Sequence, residues 1–150
     1  YAGQNVINFS LLFWNKIPQG ISSIKDLEKI NATVCVEPGS SLEKFLDSCP
    51  DIIQKSLSKT EDMILDIKYG KSLAMLIEPI VTRRIKKTNP ELKELAIPLS
   101  KEFQTWGLGI ALKKENQATS VAVQNVIEQL KQDGTLRMLE QKWNLVEGQA

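Results

Sequence analysis

The chain has 150 residues, 42% hydrophobic and 25% charged, with a formal net charge of +1. That length supports one ordinary domain with a real core, and that balance marks a soluble globular protein. A near-neutral charge gives no argument for a nucleic-acid partner, and no run reaches the ~20 apolar residues of a membrane span. The chain has no histidine, which removes the commonest metal ligand and the commonest acid–base group near neutral pH. The start lacks the basic-then-apolar pattern of a secretory signal, as a mature chain with its signal removed would.

In chain order, Val6 to Trp14 is apolar and aromatic and reads as a strand, broken by Pro18 and Gly20. Ser22 or Ser23 caps a short helix, Ile24 to Lys29, with Asp26 in its first turn. Thr33 to Val36 is a strand and Glu37-Pro38-Gly39 a turn. Ser40 or Ser41 then caps the helix Leu42 to Asp47, with Glu43 placed early in it. Ile52 to Leu57 reads as a further strand. Ser58 or Thr60 caps a helix with Met63, Ile64 and Ile67 on one face, and Gly70 ends it. Leu73 to Ile77 has no polar alternation, which suits a central strand buried on both faces. Pro79 opens a helix to Lys87, where its missing amide costs nothing. Leu95 to Leu99 and Trp106 to Leu112 are strands. A long helix from Ala118 to Gln132 carries the stripe Val123, Val126, Ile127 and Leu130; Gly134 stops it, and Thr135 caps a last helix through Trp143. Alternating strands and helices of this kind predict an α/β layer with a mostly parallel sheet.

Two places can carry chemistry. Glu37 to Ser41, EPGSS, joins a strand to a helix, where free amides and the hydroxyls of Ser40 and Ser41 suit a carboxylate or phosphate. The plainer reading is that the serines cap their own helix. Glu78 ends the apolar run YGKSLAMLIEP, and ligands of open α/β sheets collect beyond the carboxyl ends of strands. Its plainer reading is a residue favourable to the helix dipole, or a partner for Arg83 or Arg84. Together an acid at Glu78 and anion donors at Gly39 to Ser41 suit a zwitterion. The GKS at Gly70 to Ser72 is no P-loop, since it precedes a strand and lacks the upstream glycine. Arg83, Arg84, Lys86 and Lys87 read as a solvated helix face. No catalytic residue, metal site or cofactor is expected: the serines show no nucleophile elbow, and metal-ligand spacing is absent. Cys35 and Cys49 read as either a disulfide or two small buried thiols.

Five segments in order resemble the extracytoplasmic solute-binding proteins of ABC transporters for polar amino acids (family 3 solute-binding proteins). They are ISSIKDL, TVCVEPGSSLEKFL, YGKSLAMLIEP, WGLGIALKKEN and LKQDGTLRMLEQKW, within a resemblance running from Ile21 to Leu145. The middle stretch and the ending resemble most the chlamydial arginine-binding proteins. The chain departs from the family pattern at Leu73, where the family has aspartate, and at Glu78, where aspartate is commoner.

The resemblance implies an α/β, type II periplasmic-binding-protein-like fold with a complete second lobe and part of the first. On that reading 1–20 is the last strand of the first lobe and the crossover. Residues 21–104 form the second, ligand-binding lobe. Residues 105–150 are a return strand and C-terminal helices that pack on the first lobe. The resemblance implies binding rather than catalysis: Ser40, Ser41 and the amides near Gly39 take an α-carboxylate, Glu78 pairs with an α-ammonium, and Glu37 lies near the ligand side chain. A second carboxylate favours arginine or lysine. The implied partners are the amino acid, a membrane permease and a missing N-terminal lobe, in the same chain, another chain or a domain-swapped copy. The implied location is periplasmic or extracytoplasmic, including membrane-associated. Without that lobe, Val6 to Trp14 and the stripe of the long helix are expected to stay partly exposed. A ligand-free structural or sensory domain and a dehydratase-like enzyme on the same fold are the alternatives.

Overall fold

Short apolar runs between turn residues supply the strands, and amphipathic segments supply the helices. The computed structural model describes residues 2–143, with the side chains of 6–104 and 109–143. The strands are β1 (Ala2–Val6), β2 (Asn8–Trp14), β3 (Thr33–Val36), β4 (Ile53–Ser56), β5 (Ala74–Ile77), β6 (Leu92–Pro98) and β7 (Thr105–Leu108). The helices are α1 (Ile24–Lys29), α2 (Ser41–Asp47), α3 (Thr60–Lys68), α4 (Pro79–Lys86), α5 (Gln117–Gln132) and α6 (Thr135–Lys142). The chain divides into two compact units. One is Ile7–Gln104, and the other comprises 2–6 and 105–143 among the described residues.

The larger unit is built on a five-stranded sheet in the order β4-β3-β5-β2-β6. β3 pairs in parallel with both β4 and β5, and β2 pairs antiparallel with β5 and β6. The mostly parallel layer expected from the alternation is therefore mixed, with β2 running against its neighbours. The strand read over Val6 to Trp14 is two strands broken at Ile7, and its longer part, β2, is a central strand of the larger unit. The reason is the composition of β2. Phe9, Leu11, Leu12 and Phe13 are all buried, each worth about 1.5–3 kcal/mol of apolar transfer, and only a central strand can cover both of its faces. The expectation that this run stays partly exposed is thus corrected. Its one polar member inside the run, Ser10, is fully buried and donates to Glu94 Oε1 at 2.6 Å.

Side-chain alternation along β2 separates two faces. Leu12 packs with Cys35, Met75 and Ile77, with Met63 and Ile67 of α3, and with Ile85 of α4. Phe9 points the other way and meets Phe45 of α2 edge-on, with ring centroids 5.6 Å apart; Phe45 in turn meets Phe103 at 5.3 Å. So α2 covers one face, and α3 and α4 the other. β5 is buried at all four positions, as its unbroken apolar run predicts. β4 is an edge strand, shorter than the run Ile52 to Leu57, and β6 is longer than Leu95 to Leu99 because its whole length pairs with β2.

Cys35 and Cys49 are free and buried. The open choice between a disulfide and two thiols resolves to thiols. Burial, with the nearby Asp66 charge, pushes the Cys35 thiol up to about 12.

In the smaller unit β1 pairs antiparallel with β7, and α5 and α6 follow. β7 is shorter than the strand read over Trp106 to Leu112. No residue of α5 or α6 is buried, and Val126 of the expected stripe is 52% exposed. Gly134, at φ 79°, supplies the left-handed turn between the two helices. Tyr1, residues 144–150 and hence Leu145 lie outside the described residues.

One buried charge ties the sheet to α3. Asp66 is 7% exposed and accepts from Lys55 Nζ at 2.5 Å and Ser72 Oγ at 2.5 Å, joining α3, β4 and the entry to β5. Burial opposes its charged form, but the bonds from Lys55 and Ser72 and the charges of Lys55 and Lys71 outweigh it and hold its carboxyl below the ordinary 3.8. A depressed folded-state value adds stability that is fully present above the unfolded value and lost as pH falls through the folded one. Asp66→Asn should therefore cost about 1–2 kcal/mol in urea melts at pH 7, with the gap closing below about pH 4. A cost that does not change with pH would remove the charge from this account.

Candidate functional site

The topology itself marks a place for a ligand. The chain leaves β3 for α2 on one face of the sheet and leaves β5 for α4 on the other. Between two adjacent parallel strands, that divergence opens a crevice at their carboxyl ends. The register pairs Val34 with Ala74 and Cys35 with Met75, so Val36 and Ile77 end the strands nearly side by side. Glu37 follows β3 and Glu78 follows β5. The fold thus brings the two predicted acids to neighbouring strand ends.

Each has a local reason for its position. Glu78 is the N-cap of α4, with extended backbone (φ −73°, ψ 143°) and Pro79 just after it. The residue before proline is pushed out of the helical region, and proline at the first helical position starts the helix. The Glu78 side chain makes no capping bond and is half-buried, while its carbonyl accepts from Thr82 Oγ1 at 3.2 Å. Glu37 is exposed.

Gly39 turns the chain at φ +73°, a conformation that L side chains rarely adopt. Ser40 is the N-cap of α2: its hydroxyl accepts from Glu43 N at 3.2 Å and donates to Glu37 O at 2.6 Å. Glu43 reaches back, taking Gly39 N–H on Oε2 at 2.7 Å and Ser56 Oγ on Oε1 at 3.0 Å. This is a capping box whose acid reaches one residue beyond the cap. The plainer reading of Ser40 as a cap is therefore correct as geometry. Ser41, the first residue of α2, is exposed; its amide and that of Leu42 have no carbonyl four back in the helix.

Chemically, the arrangement offers the carboxylates of Glu37 and Glu78 beside a turn whose Gly39 amide and Ser40 hydroxyl are already taken, leaving the Ser41 hydroxyl and the first amides of α2 as donors. It can pair with cations through Glu37 and Glu78 and accept an anion at the start of α2. The Ser40–Glu43 spacing signals Glu43 from the sequence. Ser56 gives no such signal, since only the pairing of β4 with β3 brings it to Glu43. Among the described residues, no group of three or more His, Cys, Asp or Glu could hold a metal ion, and no helix is long and apolar enough to cross a membrane.

The fold is that of the type II periplasmic binding proteins. Over 95% of this chain and 59% of the other, it superposes on a mutant of ArgBP from T. maritima with a TM-score of 0.77 at 22% identity. In sequence the chain is similar to arginine-binding proteins of two bacteria. It is 25% identical over 147 residues to the probable ABC transporter arginine-binding protein ArtJ of Chlamydia trachomatis, covering 97% of this chain and 54% of that protein. It is 30% identical over 132 residues to the arginine-binding extracellular protein ArtP of Bacillus subtilis, covering 86% of this chain and 50% of that one. The chain spans about half the length of the curated relatives it matches. At 25% identity the chlamydial match is a likeness and singles out no particular protein. No protein-family model matches. Both relatives are binding proteins by name.

The capping geometry gives a direct test. Ser40→Ala should destabilise the larger unit by about 1 kcal/mol in urea melts, from loss of the cap on Glu43 N. An unchanged midpoint would mean that the Glu43 carboxylate alone holds the turn.

Proposed function

We propose that this chain forms part of the solute-binding component of an ABC importer and binds a polar, basic amino acid such as arginine. The observation that carries this reading is the placement of Glu37 and Glu78 at the carboxyl ends of the adjacent parallel strands β3 and β5. Glu78, half-buried at the head of α4, takes the α-ammonium. Glu37 takes the cationic side chain. The α-carboxylate docks on the turn from Gly39 to Ser41, where the hydroxyl of Ser41 and the first amides of α2 remain as donors.

Charge count favours a cationic ligand. Arginine brings two positive groups and one negative one, against two carboxylates and an amide cradle. A neutral amino acid would leave one carboxylate unpaired, which costs affinity once water is excluded. Closure of a further lobe, in this chain or in another one including a swapped copy, would exclude that water and strengthen each pair. The names of the relatives, arginine-binding in both bacteria, support this ligand class and an extracytoplasmic location. A membrane permease is then the partner that receives the ligand.

Calorimetry tests the reading. Arginine and lysine should release heat on binding, and Glu78→Gln should weaken both at least tenfold through the unpaired ammonium. Glu37→Gln should narrow the preference for arginine over glutamine. Absence of heat with every amino acid, or an affinity indifferent to Glu78, would overturn it.

A further inference from the structure

The pole of the sheet opposite Glu37 and Glu78 carries a concavity. It lies where β2 ends and where β3 and β5 begin, beside the C-terminal end of α3, and has a volume of about 430 Å³. That is within the usual range of small-molecule sites, about 300–1,000 Å³. Its apolar walls include Phe13, Trp14, Ile67 and Leu73; its charged lining residues are Lys16 and Lys71, with no carboxylate among them.

The lysines are not accounted for by local ion pairs. Asp66, the acid nearest Lys71 in sequence, is hydrogen-bonded to Lys55 and Ser72 and feels the Lys71 charge only through space. Neither Lys16 nor Lys71 is in a side-chain ion pair among the described residues. Lys68 adds a third positive charge at the rim, its Nζ 5.2 Å from the centroid of the Trp14 ring. The C-terminal carbonyls of α3 favour cations nearby, which explains Lys68 and Lys71 in part; Lys16 arrives from the loop after β2 and owes nothing to that helix. In a chain with a net charge of only +1, two lysines lining one aromatic-walled concavity and a third against its Trp14 are a local excess.

We propose that this pole binds a small organic carboxylate with a flat apolar body. The body lies against the Trp14 indole and Leu73, and the carboxylate meets Lys16 and Lys71. The site is separate from the strand ends assigned to the amino acid, so its occupancy does not depend on that assignment.

The test uses the full chain, ¹⁵N-labelled, titrated with indole-3-acetate and with its neutral isostere indole-3-acetamide. Indole-3-acetate should shift the amide signals of Thr33, Gly70 and Leu73 saturably, while those of Gly39, Ser41 and Glu78 stay in place. The neutral isostere should bind at least threefold more weakly. The double variant Lys16→Glu with Lys71→Glu changes two exposed side chains and should weaken indole-3-acetate at least tenfold. Equal affinity for the two probes, an unaffected double variant, or shifts confined to other surfaces would each overturn the proposal.

Discussion

The parallel pairing of β3 with β5 is the constraint on which the candidate site depends. It places Glu37 and Glu78 at adjacent strand ends, and the departure of α2 and α4 to opposite faces leaves the space beyond those ends open. A one-residue slip of β5 would turn Met75 and Ile77 away from α3 and α4 and reverse the facing of the whole strand. The core therefore guards the geometry of the site: the apolar residues that make the slip costly are the ones that aim the two acids. The antiparallel β2 contributes by closing the other side of β5, so that no edge of that strand is left for water.

Electrostatics divides the larger unit into two poles. At the carboxyl ends of β3 and β5 stand two acids and the start of a helix. At the opposite end stand Lys16, Lys68 and Lys71 around Trp14, with Asp66 buried behind them in its own pairing. The Asp66 cluster holds α3 against β4 and β5 and keeps this arrangement from relaxing. The Glu43 carboxylate does similar work at the first pole, fixing the turn at Gly39 from within α2 and tying it to β4 through Ser56.

Much of this was legible in the chain. The unbroken apolar run of β5, Pro79 after Glu78 and the Ser40–Glu43 spacing each declare a local structure through backbone chemistry. The class of fold was legible from the order of five motifs. The role of β2 was not. Its run of apolar residues says that it is buried on both faces, but neither its direction nor its neighbours follow from composition. Those come from pairing with β5 and β6, one of them more than eighty residues away. Ser56 was invisible for the same reason: a serine in an edge strand acquires meaning only when pairing brings it to Glu43.

The most direct measurement of the central claim is the amide chemical-shift response of the full chain to arginine. The account predicts saturable shifts that cluster at Gly39, Ser41, Glu78 and Ile80, with Thr33 and Gly70 at the far pole unmoved. Saturable binding whose shifts avoid both strand ends would contradict it.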